Sequence, residues 1–312
     1  MKVVITGVAG FIGSHTAELF LDSGVTVIGI DSFSSLLYPE TTKRENVKKL
    51  LKNPNFQLVE LDLRREGISQ YLTGVNAIVN FAALPGQALS WDFFAEYQNA
   101  NLLIVSNLLR ELEFFPKIYF LQISTSSIFG NLDKQNSNTD THQPISPYGV
   151  TKLAAENLVN VYVSQKGISA GMLRLYSVYG PRQRPDMAYA KFCFALTREL
   201  EISIYGDGSQ LRSITFVSDV SRAIFLAIEA RISGLMADVC GEESITLIEA
   251  LHQFENCFGV SARIKTLPGR VGDQSVSVGN PVTLEKLLGF KPLTSIKEGI
   301  FLQVQHTLVS DV

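Results

Sequence analysis

The spacing of apolar residues alternates between two periods along the first two-thirds of the chain. Short runs rich in β-branched residues are separated by longer stretches whose apolar residues recur at helical spacing. Strands that are apolar throughout are buried on both faces, so the alternation predicts an α/β fold with a doubly wound parallel sheet. The candidate strands are residues 2–6, 25–30, 56–60, 76–81, 118–124 and 170–175, and the longer candidate helices are 11–23, 94–114 and 149–166.

The pattern changes after residue 177. Gly180, Pro181 and Pro185 interrupt the chain, and residues 206–208 (Gly-Asp-Gly) predict a tight turn. We therefore expect a first domain over 1–177 and a smaller C-terminal lobe over 178–312, interwoven with the first rather than joined by a linker.

Composition excludes several classes of function. The 312 residues carry a net charge of -3 without a long basic run, which argues against a nucleic-acid partner. No run approaches the eighteen or so apolar residues of a membrane span. The three cysteines are odd in number and never stand at metal-ligand spacing with the four histidines. We expect reduced thiols, a cytoplasmic protein and no metal site.

A glycine-rich turn follows the first strand directly. Residues 7–13 read Gly-Val-Ala-Gly-Phe-Ile-Gly and open the first helix. Gly7 permits the tight turn, Gly10 lets the backbone approach a pyrophosphate, and Gly13 lets helix and strand pack closely. The N–H groups at the start of the helix bind phosphate. This context predicts a Rossmann-type dinucleotide site that also includes Phe11 and Ile12.

Acidic residues follow the next two strands. Asp31 ends the second strand and is expected, with Ser32, to bind the ribose diol of the adenosine. A 2′-phosphate would be repelled by this carboxylate, so NAD is favoured over NADP, although Lys43 and Arg44 are close enough in sequence to reach a phosphate. Asp62 and Leu63 are expected beside the adenine.

Three residues further along carry the predicted chemistry. Tyr148 and Lys152 stand four apart at the start of a helix and so share a face. A neighbouring ammonium, together with the positive nicotinamide ring, would lower the pKa of the phenol and make it a usable base. Thr125, at the end of the fifth strand, is expected to hydrogen-bond the reacting oxygen.

Taken together, these motifs resemble those of the extended short-chain dehydrogenase/reductase family of nucleotide-sugar epimerases and dehydratases. The resemblance covers nearly the whole chain. Beyond the motifs above it includes residues 80–83 (Asn-Phe-Ala-Ala, with Phe81, Ala82 and Ala83 at the cofactor), 180–187, 206–208 and 270–273. It implies that the tyrosinate takes the proton of the sugar 4-OH while NAD⁺ takes the C4 hydride, giving a transient 4-keto sugar.

The two residues after Thr125 determine what the resemblance implies for the keto sugar. The 4,6-dehydratases of this family carry an Asp-Glu pair there, and the glucuronate decarboxylases carry Glu at the second position. Here the pair is Ser126 and Ser127. Neither residue serves as a carboxylate acid or base, which favours 4-epimerisation by rotation and re-reduction. We expect both serines to hold a sugar carboxylate away from the alignment that loses CO₂.

Similarity to UDP-glucuronate 4-epimerases suggests the substrate and its ligands. Arg184 is the candidate for the sugar carboxylate, because guanidinium binds carboxylate through two hydrogen bonds, and Arg182 is the second candidate. Ser177 stands at a small-hydroxyl position of these enzymes. The diphosphate and nucleoside positions correspond to Arg212, Arg270 and Asp273. The alternatives are a UDP-glucose or UDP-N-acetylhexosamine 4-epimerase, a UDP-glucuronate decarboxylase, or a non-catalytic NAD-binding protein.

Some positions depart from the family pattern. Asn80 replaces a common His, and Phe129 replaces a common Tyr. Gln87 and Ala88 stand where the glucuronate epimerases tend to have Val-Arg, which leaves a neutral or modified sugar open. By analogy with the family, helices near 94–114 and 149–166 are expected to pair in a homodimer.

Overall fold

The structure, a computed structural model, describes residues 1–131 and 142–310. Its strands are β1 (Lys2–Thr6), β2 (Thr26–Asp31), β3 (Phe56–Glu60), β4 (Ala77–Asn80), β5 (Tyr119–Thr125), β6 (Ala170–Leu175), β7 (Ser177–Tyr179), β8 (Glu201–Tyr205), β9 (Leu211–Phe216), β10 (Met236–Val239), β11 (Ser244–Thr246), β12 (Arg263–Leu267) and β13 (Val276–Ser277). Its helices are α1 (Phe11–Asp22), α2 (Glu40–Val47), α3 (Phe94–Gln98), α4 (Ile104–Leu112), α5 (Pro147–Lys166), α6 (Ala188–Thr197), α7 (Val217–Ala230), α8 (Leu247–Phe258), α9 (Val282–Leu288) and α10 (Ile296–Ser310).

Seven parallel strands form the main sheet, in the order β3-β2-β1-β4-β5-β6-β10. The strand order reverses between β1 and β4, and a crevice opens there at the carboxyl ends of the strands. The ends of the first six strands all lie within one residue of the predicted ranges, and β4 is one residue shorter at each end. The predicted fold class, an α/β Rossmann-type sheet, is confirmed.

Part of the C-terminal half returns to this sheet. Strand β10 pairs with β6, from Met236 beside Met172 to Val239 beside Leu175. Helix α7 packs on α1, where Phe20 and Phe225 meet edge to face at 5.2 Å. The two lobes are therefore interwoven, and the boundary between residues 177 and 178 stays a prediction.

The C-terminal lobe has its own small core. Strands β7, β9, β11 and β13 form one sheet, and β8 pairs with β12 in another. Rings of Tyr189, Phe192 and Phe254 lie 5.1–5.9 Å apart between α6 and α8. This core supports the loop after β7 and the turn before β13, which face the crevice.

A ladder of polar side chains crosses the middle of the main sheet. The Thr6 hydroxyl donates to Asn80 Oδ1 at 2.5 Å, and Asn80 Nδ2 donates to Gln122 Oε1 at 2.8 Å. All three residues are buried. Asn80, which replaces the more common His, thus bridges β1 and β5 inside the sheet.

We expect Asn80→Ala to lower the free energy of unfolding by about 2 kcal/mol or more, because it leaves the Thr6 hydroxyl and the Gln122 amide buried without their partners. Denaturant unfolding followed by circular dichroism measures this loss. The exposed Asn55 serves as the control, and Asn55→Ala should change stability little. An equal effect of both substitutions would contradict the importance of the ladder.

No helix among the residues that the structure describes is long and apolar enough to cross a membrane.

Candidate active site

A cleft of about 880 Å³ lies over the crevice between β1 and β4. It runs from the glycine-rich turn, past the ends of β2, β4 and β5, to the C-terminal lobe. The sequence-predicted residues that line it are Gly7, Gly10, Phe11, Ile12, Gly13, Asp31, Ser32, Asp62, Leu63, Phe81, Ala82, Ala83, Thr125, Ser126, Ser127, Tyr148, Lys152, Ser177, Arg184, Arg212, Arg270 and Asp273.

The glycine-rich turn has the shape that a pyrophosphate needs. Gly7 has φ +68°, and a Cβ there would lie 2.9 Å from the backbone of Phe81 and Ala82. At Gly13 a Cβ would collide with the Gly7 carbonyl. At Gly10 the only close atom is the Gly7 carbonyl oxygen at 3.1 Å, so its remaining surroundings are open. The α1 N-terminus thus faces open space that a phosphate fits.

Asp31 shapes the adenosine end of the cleft. Its carboxylate accepts hydrogen bonds from the backbone N–H of Ala9 at 3.0 Å and of Phe33 at 2.8 Å. The Lys43 ammonium lies 3.9 Å away, whereas Arg44 pairs with Glu40 and Glu60. Lys43 therefore stays near the ribose position, and Arg44 is held by these two carboxylates.

We expect Asp31→Asn to weaken NAD binding by roughly tenfold and to narrow the preference for NAD over NADP, because the amide offers a ribose diol fewer acceptors and removes the charge that repels a 2′-phosphate. Titration calorimetry with both dinucleotides measures the two affinities. Asp22→Asn removes an exposed carboxylate at the end of α1, outside the cleft, and should leave both affinities unchanged. An unaltered preference in Asp31→Asn would contradict this role.

Asp62 and Leu63 lie across the cleft from the glycine-rich turn. Arg64 holds the Asp62 carboxylate through its backbone N–H and its guanidinium, at 2.8–3.0 Å. These hydrogen bonds keep the pKa of Asp62 below its usual value. A fixed, ionised acceptor at this position suits the amino group of an adenine.

Helix α5 carries the predicted base at its first turn. Ser146 caps the helix by accepting from Gly149 N–H at 3.2 Å, and Pro147 occupies the first helical position. A Cβ at Gly149 would lie 2.5 Å from the Ser127 carbonyl oxygen. Glycine thus lets the helix start directly against the turn at residues 126–128, which brings Tyr148 to Thr125.

Burial, Thr125 and Arg184 determine the electrostatics of Tyr148 in the described chain. Burial raises the pKa of its phenol, while a hydrogen bond with Thr125 and the charge of Arg184 lower it. The Lys152 ammonium donates to the Ile123 carbonyl at 2.6 Å, and burial lowers its own pKa to about 8. Thr125 and Arg184 therefore favour the phenolate, but burial favours the neutral phenol more strongly.

The three hydroxyl residues at the end of β5, Thr125, Ser126 and Ser127, are buried, and hydrogen bonds hold their side chains. Thr125 and Ser127 hydroxyls lie 3.3 Å apart, and Ser127 N–H donates to Thr125 Oγ1 at 3.2 Å. Ser126 accepts from the Ser277 hydroxyl at 3.1 Å. The row of hydroxyls thus forms one wall of the cleft beside Tyr148.

Arg184 lies at the same end of the cleft. Its guanidinium donates two hydrogen bonds to Asp186, at 2.8 and 2.9 Å. Burial disfavours its charge, but the pair with Asp186 holds the pKa of Arg184 above its usual value. Arg184 thus stays charged next to Tyr148.

The remaining substrate candidates lie at the far end. Arg212 donates to the carbonyls of Leu211, Gln274 and Ser275, and Arg270 lies over the ring of Tyr205 at 3.4 Å. The charge of Asp273 acts on Arg212. Ser177 lines the cleft at the start of β7.

Arg182 lies elsewhere. It adopts φ +62° and pairs with Glu18 on α1 through two hydrogen bonds at 2.8 and 3.1 Å. It does not line the cleft around Tyr148. The structure therefore gives Arg182 a place between α1 and the loop after β7, and not beside the sugar as the second carboxylate candidate.

Two glutamines that no sequence motif singles out as functional also belong to the site: Gln274, and Gln87, which departs from the family pattern. Both line the cleft, and Gln87 Nε2 lies 3.2 Å from Ser127 Oγ and 3.4 Å from Gln274 Oε1. Glutamine has no charge, and the two residues stand far apart in the chain, so no local pattern marks them. Over residues 1–131 and 142–310, His, Cys, Asp and Glu form no cluster that could hold a metal ion.

The comparisons with known proteins agree with this geometry. The model of the NAD dependent epimerase/dehydratase family matches residues 3–237. A Bacillus subtilis protein described as an uncharacterized UDP-glucose epimerase is 33% identical, over 98% of both chains. Among solved structures, UDP-glucuronic acid 4-epimerase from Bacillus cereus, in complex with UDP-glucuronic acid and NAD, has a TM-score of 0.95 at 32% identity, with 99% of this chain and 100% of that one covered. The Thermus thermophilus UDP-glucose 4-epimerase complex with NAD has a TM-score of 0.89 at 30% identity, with 99% of both chains covered.

The family match covers well over half of the chain, and it confirms the prediction of an NAD-dependent enzyme of the epimerase type. The chain is a member of the NAD dependent epimerase/dehydratase family.

Proposed function

We propose that this protein catalyses the NAD-dependent 4-epimerisation of a UDP-sugar, converting UDP-glucuronate to UDP-galacturonate through a transient 4-keto sugar. The observation that carries the proposal is the environment of Tyr148: a row of hydroxyls, the charged Arg184 and, among the described lining residues, no unpaired carboxylate beside them. The similarity to the Bacillus cereus enzyme supports the same substrate.

Tyr148 acts as the base in this reaction. Its phenolate takes the proton of the sugar 4-OH and returns it when the keto group is reduced on the other face. Thr125 donates a hydrogen bond to the oxygen that carries the charge. Bound NAD supplies the acceptor, and then the donor, of the C4 hydride.

The carboxylates that line the cleft argue against elimination of water. Among the described lining residues they are Asp31, Asp62, Asp186 and Asp273. The first two belong to the adenosine end, Asp186 is paired with Arg184, and Asp273 lies near Arg212. Dehydration needs a carboxylic acid and a carboxylate beside the sugar, and Ser126 and Ser127 provide neither.

Arg184 and the serines suit a uronate. The guanidinium binds the sugar carboxylate, and the hydroxyls of Ser126 and Ser127 fix its plane. A 4-keto uronate is a β-keto acid, which loses CO₂ when the breaking bond aligns with the ketone π-system. Holding the carboxylate out of that alignment preserves the carbon for re-reduction.

A second candidate is 4-epimerisation of UDP-glucose or a UDP-N-acetylhexosamine. The neutral amide of Gln87 and the exposed Ala88 offer no cation at this edge of the cleft, and this observation favours an uncharged sugar. The similarity to the Thermus thermophilus enzyme points the same way.

Incubation with NAD⁺ and a panel of UDP-sugars, read by proton NMR, tests the proposal. UDP-galacturonate formed from UDP-glucuronate supports it. UDP-galactose formed from UDP-glucose, with no turnover of the uronate, favours the second candidate. UDP-xylose as the main product contradicts epimerisation.

We expect Ser127→Glu to divert part of the 4-keto uronate to pentose products, because a carboxylate there displaces the sugar carboxylate from its plane. The ratio of UDP-pentose to UDP-galacturonate by NMR measures this effect, with Ser233→Glu, on an exposed turn, as the matched control. A ratio equal to that of the unaltered protein would contradict the role of Ser127 in holding the carboxylate.

The protein is further proposed to be a cytoplasmic homodimer that pairs through α3, α4 and α5. Phe94, Leu103, Val150 and Val161 support this, since each is 40–52% exposed on these helices or the turn between them. Its three cysteines, all in the described chain, form no disulfide with one another, which suits a reducing compartment. Light scattering during size exclusion tests the assembly, and Val161→Lys should shift the mass from dimer to monomer.

A further inference from the structure

Two glutamines without an assigned role meet behind the hydroxyls of the active site. Gln87 precedes the turn at residues 88–90, where the Ser90 hydroxyl donates to its carbonyl at 2.5 Å. Gln274 precedes β13, and its carbonyl accepts from Arg212. The backbones of both residues are thus anchored, and their side chains meet beside Ser127.

The surroundings of Gln274 determine how its amide is oriented. Its nitrogen faces two backbone carbonyls, those of Gly130 and, at 3.5 Å, of Ser126. Carbonyls only accept hydrogen bonds, so this end must be the NH₂ group. Gln274 Oε1 is then left to face Gln87.

That orientation determines the next one. Because Gln274 presents an oxygen, Gln87 must present its NH₂ group, at 3.4 Å from that oxygen and 3.2 Å from Ser127 Oγ. Its own Oε1 is buried and has no hydrogen-bond partner in the described chain. A buried oxygen without a hydrogen-bond partner costs free energy. The neighbours of Gln87 therefore determine the orientation of its amide, although this orientation leaves Gln87 Oε1 unsatisfied.

Ser127 consequently accepts from Gln87 whatever the charge on Tyr148. When Tyr148 is a phenolate, the Thr125 hydroxyl turns its proton to the phenolate, and Thr125 Oγ1 still accepts from the backbone N–H of Ser127 at 3.2 Å. When Tyr148 is protonated, Thr125 donates to Ser127 instead, in the direction that the 3.3 Å contact allows. Each hydroxyl keeps its own proton and only rotates. A fixed donor at Gln87 keeps the Ser127 oxygen hydrogen-bonded after Thr125 has turned to Tyr148, and this favours the phenolate arrangement.

We propose that Gln87, oriented by Gln274, is a positioning residue for the base: it donates to the Ser127 hydroxyl and so frees the Thr125 hydroxyl to donate to Tyr148. The inference rests on the proposed function only in taking Tyr148 as the base. It gives the neutral residue at this edge of the cleft a use other than contact with the sugar.

Other groups also face Tyr148 and must be held constant. Arg184 approaches from the loop after β7, Tyr97 of α3 lies edge to face at 6.2 Å, and Lys152 stands one turn along α5. Asp186 and Glu156 accompany Arg184 and Lys152. None of these groups is a hydrogen-bond partner of Gln87 in the described chain. A substitution at Gln87 therefore changes the hydrogen bonds of Ser127 and leaves these groups in place.

The test titrates Tyr148 directly in the NAD-bound enzyme. Near-ultraviolet phenolate absorbance is recorded against pH for the unaltered protein and for Gln87→Met, each minus its Tyr148→Phe counterpart. We expect the midpoint to rise by roughly half a unit to one unit in Gln87→Met. Gln274→Met should raise it less, and should add nothing in the Gln87→Met background, because Gln274 acts through Gln87.

Gln57→Met, on the exposed face of β3, is the matched control and should leave the midpoint in place. The acidic limb of kcat/KM should shift by the same amount as the midpoint. Lower kcat with an unmoved midpoint would assign Gln87 a merely structural role and overturn the inference. The titration needs no sugar, so failure of UDP-glucuronate to turn over would contradict the proposed function and leave this result standing.

Discussion

Tyr148→Phe is expected to reduce epimerisation by about a thousandfold or more while NAD remains bound, because the substitution removes the base and little else. Phenylalanine keeps the ring that packs edge to face against Tyr97 at 6.2 Å. The rate of UDP-galacturonate formation by NMR, together with a binding titration of NAD, separates the two effects. Tyr162→Phe, further along the same helix, should retain full activity. Equal turnover by both variants would remove Tyr148 from the mechanism.

The pH dependence of the unaltered enzyme follows from the same residue. Burial raises the pKa of Tyr148, and Thr125 and Arg184 oppose it. The active form is the deprotonated one, so kcat/KM rises with pH until the phenol has lost its proton. In Tyr148→Phe the residual rate should lack this rise. A limb of the same shape in the variant would assign the titration to another group.

The second large effect is expected at Arg184. Arg184→Met should lower kcat/KM for UDP-glucuronate by roughly 10²- to 10³-fold, because a partly buried carboxylate loses a two-pronged cationic partner. Asp186 also loses its partner, which adds a second negative charge near the sugar. Steady-state kinetics with the uronate measure the loss.

A comparison of two substrates separates recognition from damage to the site. With UDP-glucose, which has no carboxylate, any turnover should fall far less than with the uronate. Arg263→Met, on the exposed strand β12, is the control for loss of an arginine as such. A parallel fall with both substrates would mean that Arg184 supports the base and does not read the sugar carboxylate.

Local patterns in the sequence suffice for the first six strands and the phosphate turn. Each of these strands is a short apolar run with a clear boundary, and the glycines leave a mark in the sequence because their positions exclude a Cβ. Strand β10 has only four residues and pairs with β6, more than sixty positions earlier. Such pairing depends on which edge of the sheet is free. The local pattern of apolar residues does not show which edge that is.

The directions of the side chains in the site do not follow from the sequence motifs. Arg182 and Arg184 stand two residues apart in one motif, yet one pairs with Glu18 and the other lies in the cleft. The separation arises from the left-handed backbone at Arg182. Arginine rarely adopts this conformation, so the sequence does not predict it. Lys152 is a related case: its ammonium donates to the Ile123 carbonyl, and its expected action on Tyr148 stays a prediction.

The return of β10 to the main sheet has a consequence for dissecting the protein. A fragment ending at residue 177 would keep every motif that is expected to bind the dinucleotide, yet it would lose the strand that covers β6 and the helix that covers Phe20. All six residues of β6 are buried in the whole chain, so truncation would leave an apolar strand edge open to pair with other copies. We therefore expect the first half to aggregate when cut free, and we expect an exchange of C-terminal lobes between relatives to need residues 217–239 to stay with the main sheet.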